Sequence, residues 1–164
     1  MKPARSTTIL AVTQLSLRSP VVKDGATPGL RCFYYEGEWQ RLPNFDSLAP
    51  AAEFSVDTVA IPSTARPEDY GLVFKGLVNV PADGLYEFGL SSDDGSALWV
   101  ADTLVVDNDG LHGAGEIAGQ VALKAGLHSF EVRMFQGKGG QSLDLFIAGP
   151  GLEKQSVGTN MLFH

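Results

Sequence analysis

The chain has 164 residues, 44% hydrophobic and 19% charged, and its 12 basic against 19 acidic side chains give a formal net charge of −7. That length suits one domain with a core of its own, and the mix excludes an intrinsically disordered chain. The acidic balance, with no Lys/Arg cluster, excludes the basic face that a nucleic-acid partner requires.

Cys32 is the only cysteine, so there is no internal disulfide. No apolar run reaches the length of a membrane span. Met1 to Ser6 lack the apolar stretch of a signal peptide. This abrupt start fits a module of a longer exported chain better than a protein that stays inside, and the expected location is extracellular, periplasmic or at the cell surface.

Gly (19) and Pro (9) interrupt the sequence so often that no amphipathic stretch of helical length survives. Short runs between such breaks predict an all-β antiparallel sandwich or barrel with few or no helices. Thr7 to Leu17 reads as one bent strand or two short ones, and Arg18 to Pro28 as a connector. Residues 1–28 are thus an N-terminal extension or linker, a candidate end of a preceding β domain, and residues 29–164 the main domain.

The main domain opens with the aromatic-rich strand Leu30 to Tyr35. Glu36 to Trp39 makes a turn, and Asp46 to Pro50 is a candidate helical turn. Phe54 to Ile61 reads as extended. Leu72, Phe74, Gly76, Val78 and Val80 then alternate along one face. Asp83-Gly84 is read as a tight hairpin turn into Leu85 to Leu90. Ala97 to Ala101 and Thr103 to Val106 are further strands, and Gly113, Gly115 and Gly119 mark a flexible segment before Val121 to Leu123. A strand follows with His128, Phe130, Val132 and Met134 on its apolar face. The loop Gly137 to Gly140 precedes the strand Leu143 to Ile147, and the tail to Phe163 offers a closing strand.

Asp93 and Asp94 stand out. Adjacent carboxylates at the apex of a hairpin repel each other, and a cation is the usual remedy. The competing reading is plain turn chemistry, with Asp93 capping and Asp94-Gly95 turning the chain. Asp107, Asp109, Gly110 and Glu116 match part of an EF-hand loop, but no flanking helices are expected and the match carries no weight. The same turn presents Asn108 and His112 to a sugar or a second cation, or is a solvated Asp-Gly turn.

A set of motifs spread over residues 29–163 resembles one family. They include Tyr34-x-x-Gly37-x-Trp39, Asp83-Gly84-x-Tyr86-x-Phe88, Ser92-Asp93-Asp94-Gly95-Ser96, Asp107-Asn108-Asp109-Gly110-x-His112 and Leu123-x-x-Gly126-x-His128. Together they look like the protective-antigen-type (PA-fourteen) domain, a β-barrel-like sandwich found in bacterial glycosidases, adhesins, yeast flocculins and toxins. In its sugar-binding members the paired Asp residues are joined by a cis peptide and ligate Ca²⁺, which also touches sugar hydroxyls. The resemblance implies Asp93, Asp94 and Gln136 as metal ligands and Asp93, Asp94, Asn108, His112, Gln136 and Gln141 as the ligand-binding set. Lys138 departs from the pattern by placing a positive charge in the same loop.

No nucleophile elbow, HExxH, Walker loop or Cys/His dyad is present. Paired glycosidase carboxylates stand about 5–10 Å apart across a cleft, which neighbours in sequence on one turn do not. The expected function is a non-catalytic, carbohydrate-binding accessory module of a larger glycoside hydrolase. Its partners would be a glycan or cell-surface polysaccharide and the adjoining domains of the parent enzyme. The alternative, which Lys138 favours, is a structural module packing on a neighbouring catalytic domain.

Overall fold

A computed structural model describes residues 16–164. The strand reading of Thr7 to Leu17 lies outside the described residues except for Ser16 and Leu17. Eleven strands follow: β1 (Leu30–Glu36), β2 (Ala52–Val56), β3 (Tyr70–Val80), β4 (Gly84–Asp93), β5 (Ser96–Val100), β6 (Thr103–Asn108), β7 (Gly115–Leu123), β8 (Gly126–Gln136), β9 (Ser142–Gly149), β10 (Leu152–Ser156) and β11 (Leu162–Phe163). The helical turn expected over Asp46 to Pro50 is a short 3-10 turn at Phe45–Ser47. All strand pairs are antiparallel, as the punctuation of the sequence predicts.

The strands form two sheets. The larger runs β2-β1-β3-β8-β5-β6 with β11 added beside β3, and the smaller runs β10-β9-β4-β7. Alternation places Phe74, Val78 and Val80 of β3 and Phe130, Val132 and Met134 of β8 inward, where they meet Tyr86, Phe88 and Leu90 of β4. His128 shares that inner face, is 1% exposed, and has Nε2 2.7 Å from the Lys124 carbonyl. It is a satisfied core histidine.

Three sequence readings change. Asp83-Gly84 is not a hairpin turn, because β3 and β4 belong to different sheets. The same holds at Asp93-Asp94: β4 lies in the small sheet and β5 in the large one, so the acidic pair sits on an arch between the layers. Alternation reveals which face of a strand is buried but not which strand lies beside it.

The segment read as flexible is instead β7, whose residues from Gly115 pair with β4. Of the glycines there, Gly119 serves close approach. A Cβ on Gly119 would lie 1.8 Å from the Val105 carbonyl oxygen. Bare backbone at this point lets β7 and β6, the adjoining edges of the two sheets, meet.

The connector before β1 lies against the end of the sandwich remote from the acidic pair. Arg18 and Lys124 are joined through the Lys124 N–H and the Arg18 carbonyl at 2.9 Å, and the Val21 N–H reaches the Leu127 carbonyl at 2.8 Å. Thr27 and His164 exchange backbone hydrogen bonds of 2.7 and 2.8 Å.

Candidate functional site

The arch from β4 to β5 is braced from within. Ser92 Oγ donates to the Asp94 carbonyl at 2.7 Å and lies 2.6 Å from Ser96 Oγ, with both serines fully buried. Gly95 follows because a Cβ there would fall 2.6 Å from the Phe135 ring and 2.7 Å from the Gly110 nitrogen. The Asp93–Asp94 peptide is cis.

Asp94 is 6% exposed and ties two loops to the arch. Its Oδ1 accepts the His112 N–H at 3.1 Å, and its Oδ2 accepts the Gly137 N–H at 2.8 Å. Among the described residues no backbone or hydroxyl donor reaches the Asp93 carboxylate. Burial pushes the Asp93 carboxyl above its ordinary range, Asp94 pushes it further, and His112 offsets part of this.

The other residues singled out in the sequence build the loops around this pair. Asn108 Nδ2 donates to the carbonyls of Leu90 at 3.2 Å and Gly115 at 3.0 Å, fastening β6 to β4 and β7. The His112 ring lies between two carbonyls, with Nδ1 2.7 Å from Gly113 O and Nε2 2.8 Å from Asn108 O. Only the doubly protonated ring donates to both. Burial favours the neutral ring, but these two carbonyls and the charges of Asp94 and Asp93 outweigh it, so the His112 pKa is raised.

Gln136 is fully buried and donates from Nε2 to the carbonyls of Gly139 at 3.1 Å and Gly140 at 3.0 Å, while its Oε1 is left without a partner. It therefore shapes the loop from its inner side. Gln141 Oε1 accepts the Tyr70 hydroxyl. Of the six residues, Asp93 and Asp94 stand together at the arch, and the other four are engaged mainly with the backbone or with Tyr70.

The donor set fits a hard cation. Gly137 and Gly140 bring the loop against the acids so closely that a Cβ on them would lie 3.2 Å from Asp94 Oδ2 and 3.4 Å from Asp93 Oδ2. Among the described residues no group of three or more His, Cys, Asp or Glu side chains is placed to hold a metal. For a cation held there, oxygens beyond the two carboxylates would have to come from backbone carbonyls and from a ligand, an arrangement Ca²⁺ accepts. Lys138, whose charge spoke against a cation, is paired: its Nζ meets Asp69 and lies 3.4 Å from Glu38.

Beside Asp94 opens a cleft of about 480 Å³, walled by Trp39 and Leu111 and edged by Glu38, Asp69 and Lys138. Trp39 and Leu111 did not enter the sequence-derived set. The signal for Trp39 was its glycine neighbourhood; Leu111, an apolar residue in an acidic turn, gave a weaker one.

A sequence model described as the PA14 domain matches residues 26–157. No curated protein matches the chain. Among solved structures, the PA14 domain of the antifreeze protein MpAFP superposes with a TM-score of 0.71 at 16% identity, over 89% of this chain and 95% of that one. A PA14 sugar-binding domain from an RTX adhesin gives 0.71 at 20% identity, over 85% and 99%. A β-glucosidase from Kluyveromyces marxianus, solved with glucose, gives 0.57 at 17% identity over 74% of this chain and only 16% of that one. With the family's sequence model matching over most of its length, and an antiparallel sandwich to accompany it, the chain belongs to the PA14 domain family.

Proposed function

We propose that the chain is a non-catalytic carbohydrate-binding module, an accessory domain of a larger exported glycoside hydrolase, with Asp93 and Asp94 as its anchor. The observation that carries this reading is the adjacent acidic pair on the arch, in which Asp93 is pushed upward by burial and by Asp94, faced by a glycine loop and flanked by a partly apolar cleft. The similarity to a sugar-binding adhesin domain supports the ligand class, and the similarity to a small part of a β-glucosidase chain supports the setting.

Asp93 and Asp94 would hold Ca²⁺ together with carbonyl oxygens of the loop from Gly137 to Gly140. Ca²⁺ there supplies positions at which two vicinal sugar hydroxyls replace water. Asp94 has a second task, because its hydrogen bonds to His112 and Gly137 fix the height of both loops over the arch. Gln136 holds the Gly139 and Gly140 carbonyls from beneath, and each carbonyl oxygen keeps a second lone pair. The side chains thus orient acceptors; none is placed as an acid–base pair across a glycosidic bond.

Isothermal titration of neutral glycans in Ca²⁺, repeated with a chelator, tests the proposal. Binding in Ca²⁺ that disappears with the chelator or with Asp94→Asn is the expected result. Absence of binding to any glycan under either condition overturns it.

A further inference from the structure

Asp is followed by Gly at four places: Asp24-Gly25, Asp83-Gly84, Asp94-Gly95 and Asp109-Gly110. In such a pair the glycine has no Cβ to keep the preceding side chain away from its own nitrogen. Ring closure between the two needs an Asp side chain free to swing Cγ over that nitrogen, and a backbone free to turn with it. The fold withdraws three of the four pairs.

Asp83 Oδ1 accepts the Ala125 N–H at 2.7 Å, and Gly84 is paired with Leu123 in the ladder between β4 and β7. Asp94 is held by His112 and Gly137, and Gly95 is wedged against the Phe135 ring. Asp109 comes nearest to being free, because Gly110 has open space around it. Its Oδ1 is nonetheless anchored by the Leu42 N–H at 2.9 Å and the Gly110 N–H at 2.7 Å.

Asp24 differs on every count. It is exposed in the connector, at a turn whose Gly25 has φ +69°, and a Cβ on Gly25 would have nothing within 4 Å. Among the described residues neither the Asp24 carboxylate nor the Gly25 N–H has a hydrogen-bond partner. The turn is strung between two fixed points, the Val21 N–H on the Leu127 carbonyl and the backbone exchange of Thr27 with His164.

We propose that Asp24-Gly25 is a site of spontaneous isoaspartate formation in the native chain, and that the rearrangement slackens the tie between Thr27 and His164. The Gly25 nitrogen attacks Asp24 Cγ; an N–Cγ bond forms, and the amide proton leaves with the carboxyl oxygen as water. Water then opens the five-membered imide. Attack at Cγ restores aspartate, whereas attack at the Asp24 main-chain carbonyl breaks its bond to the Gly25 nitrogen and frees an α-carboxylate. One water leaves and one returns, with no oxidant or reductant. The main chain then runs through Cβ and Cγ, and gains one carbon, about 1.5 Å of contour, between its two fixed points. Nothing in this chemistry depends on the arch or its guest.

The test keeps the full chain at neutral pH and body temperature for weeks, folded and in urea. Isoaspartate is mapped on proteolytic peptides with an isoaspartate-specific O-methyltransferase, which moves a labelled methyl group from S-adenosylmethionine to the freed carboxylate. In the folded chain the product at Asp24 is expected to exceed that at the other three pairs together, and in urea that ranking should be lost. Asp24→Glu, whose ring would need six members, should abolish the product. Asp24→Asn should release ammonia at the same position and react faster. Amide hydrogen exchange at Thr27 and His164 should quicken in the aged chain, with His112 and Gly137 unchanged. Product led by Asp109 in the folded chain, the same ranking in urea, or a side-chain amide retained by Asp24→Asn overturns the site. Product at Asp24 with unaltered exchange at Thr27 and His164 overturns the slackening.

Discussion

Asp94 Oδ2 accepts the Gly137 N–H at 2.8 Å, a buried bond between residues 43 positions apart. With the second bond, from the His112 N–H to Oδ1, the carboxylate holds two loops at once. Asp94→Ala leaves both N–H groups without their acceptor, and the expected loss of stability is about 2–4 kcal/mol. Asp94→Asn keeps one acceptor oxygen and should lose roughly half as much. Urea denaturation midpoints of the two variants against the parent check the order.

Asp93 has the opposite balance. Its folded pKa is raised above the ordinary 3.8 by burial and by Asp94, so its contribution favours folding below that value and is lost as the pH rises through the folded pKa. The ionised pair at neutral pH is therefore a cost. Asp93→Asn is expected to stabilise the metal-free fold at pH 7, and the gain should vanish toward pH 3. Millimolar Ca²⁺ should raise the melting temperature of the parent and not of the variant. Parallel thermal melts with and without Ca²⁺ are the measurement.

Cys32 is fully buried on β1, and burial pushes its thiol up to about 12 from 9.0. The thiolate is the reactive form, so iodoacetamide should label the native chain at least ~10³-fold more slowly than the urea-unfolded chain. Because the folded pKa lies above the unfolded one, the stability linked to this thiol is complete below about pH 9 and is lost as the pH climbs toward 12. Cys32→Ala should flatten that part of an alkaline denaturation curve.

Gly119 meets the Val105 carbonyl so closely that a Cβ would sit 1.8 Å from the oxygen. That contact is backbone, which no rotamer change relieves. Gly119→Ala should cost about 3 kcal/mol or more and lower Tm by roughly 10 °C. Gly113→Ala, where a Cβ has nothing within 4 Å, is the matched control and should change Tm little. Circular dichroism melts separate the two.

The inner faces of β3 and β8 were legible in the sequence because each alternates apolar and polar residues over many positions, and a period of two has one structural meaning. The partners of β4 were not. Its neighbours β7 and β9 lie far along the chain, and the Asp83-Gly84 turn beside it has the same composition as a hairpin turn. Gly119 misled for a related reason: a glycine chosen for close approach and a glycine chosen for freedom are the same letter. At the site, Asp93 and Asp94 showed themselves through their adjacency. The charge of Lys138 was visible too, but Asp69, which neutralises it from 69 positions away, was not recognisable as its partner. Trp39 and Leu111 share a cleft only because the chain brings together loops separated by the length of several strands.

Asp93 is the last residue of a strand in one layer, and Asp94 leads directly into a strand of the other. Whatever grips both acids therefore fastens the two layers along one seam. Occupancy and cohesion become a single equilibrium: a bound guest raises the force or heat needed to peel the layers apart, and peeling them apart ejects the guest. A domain built this way tightens its hold on its own fold at the moment it takes hold of something else.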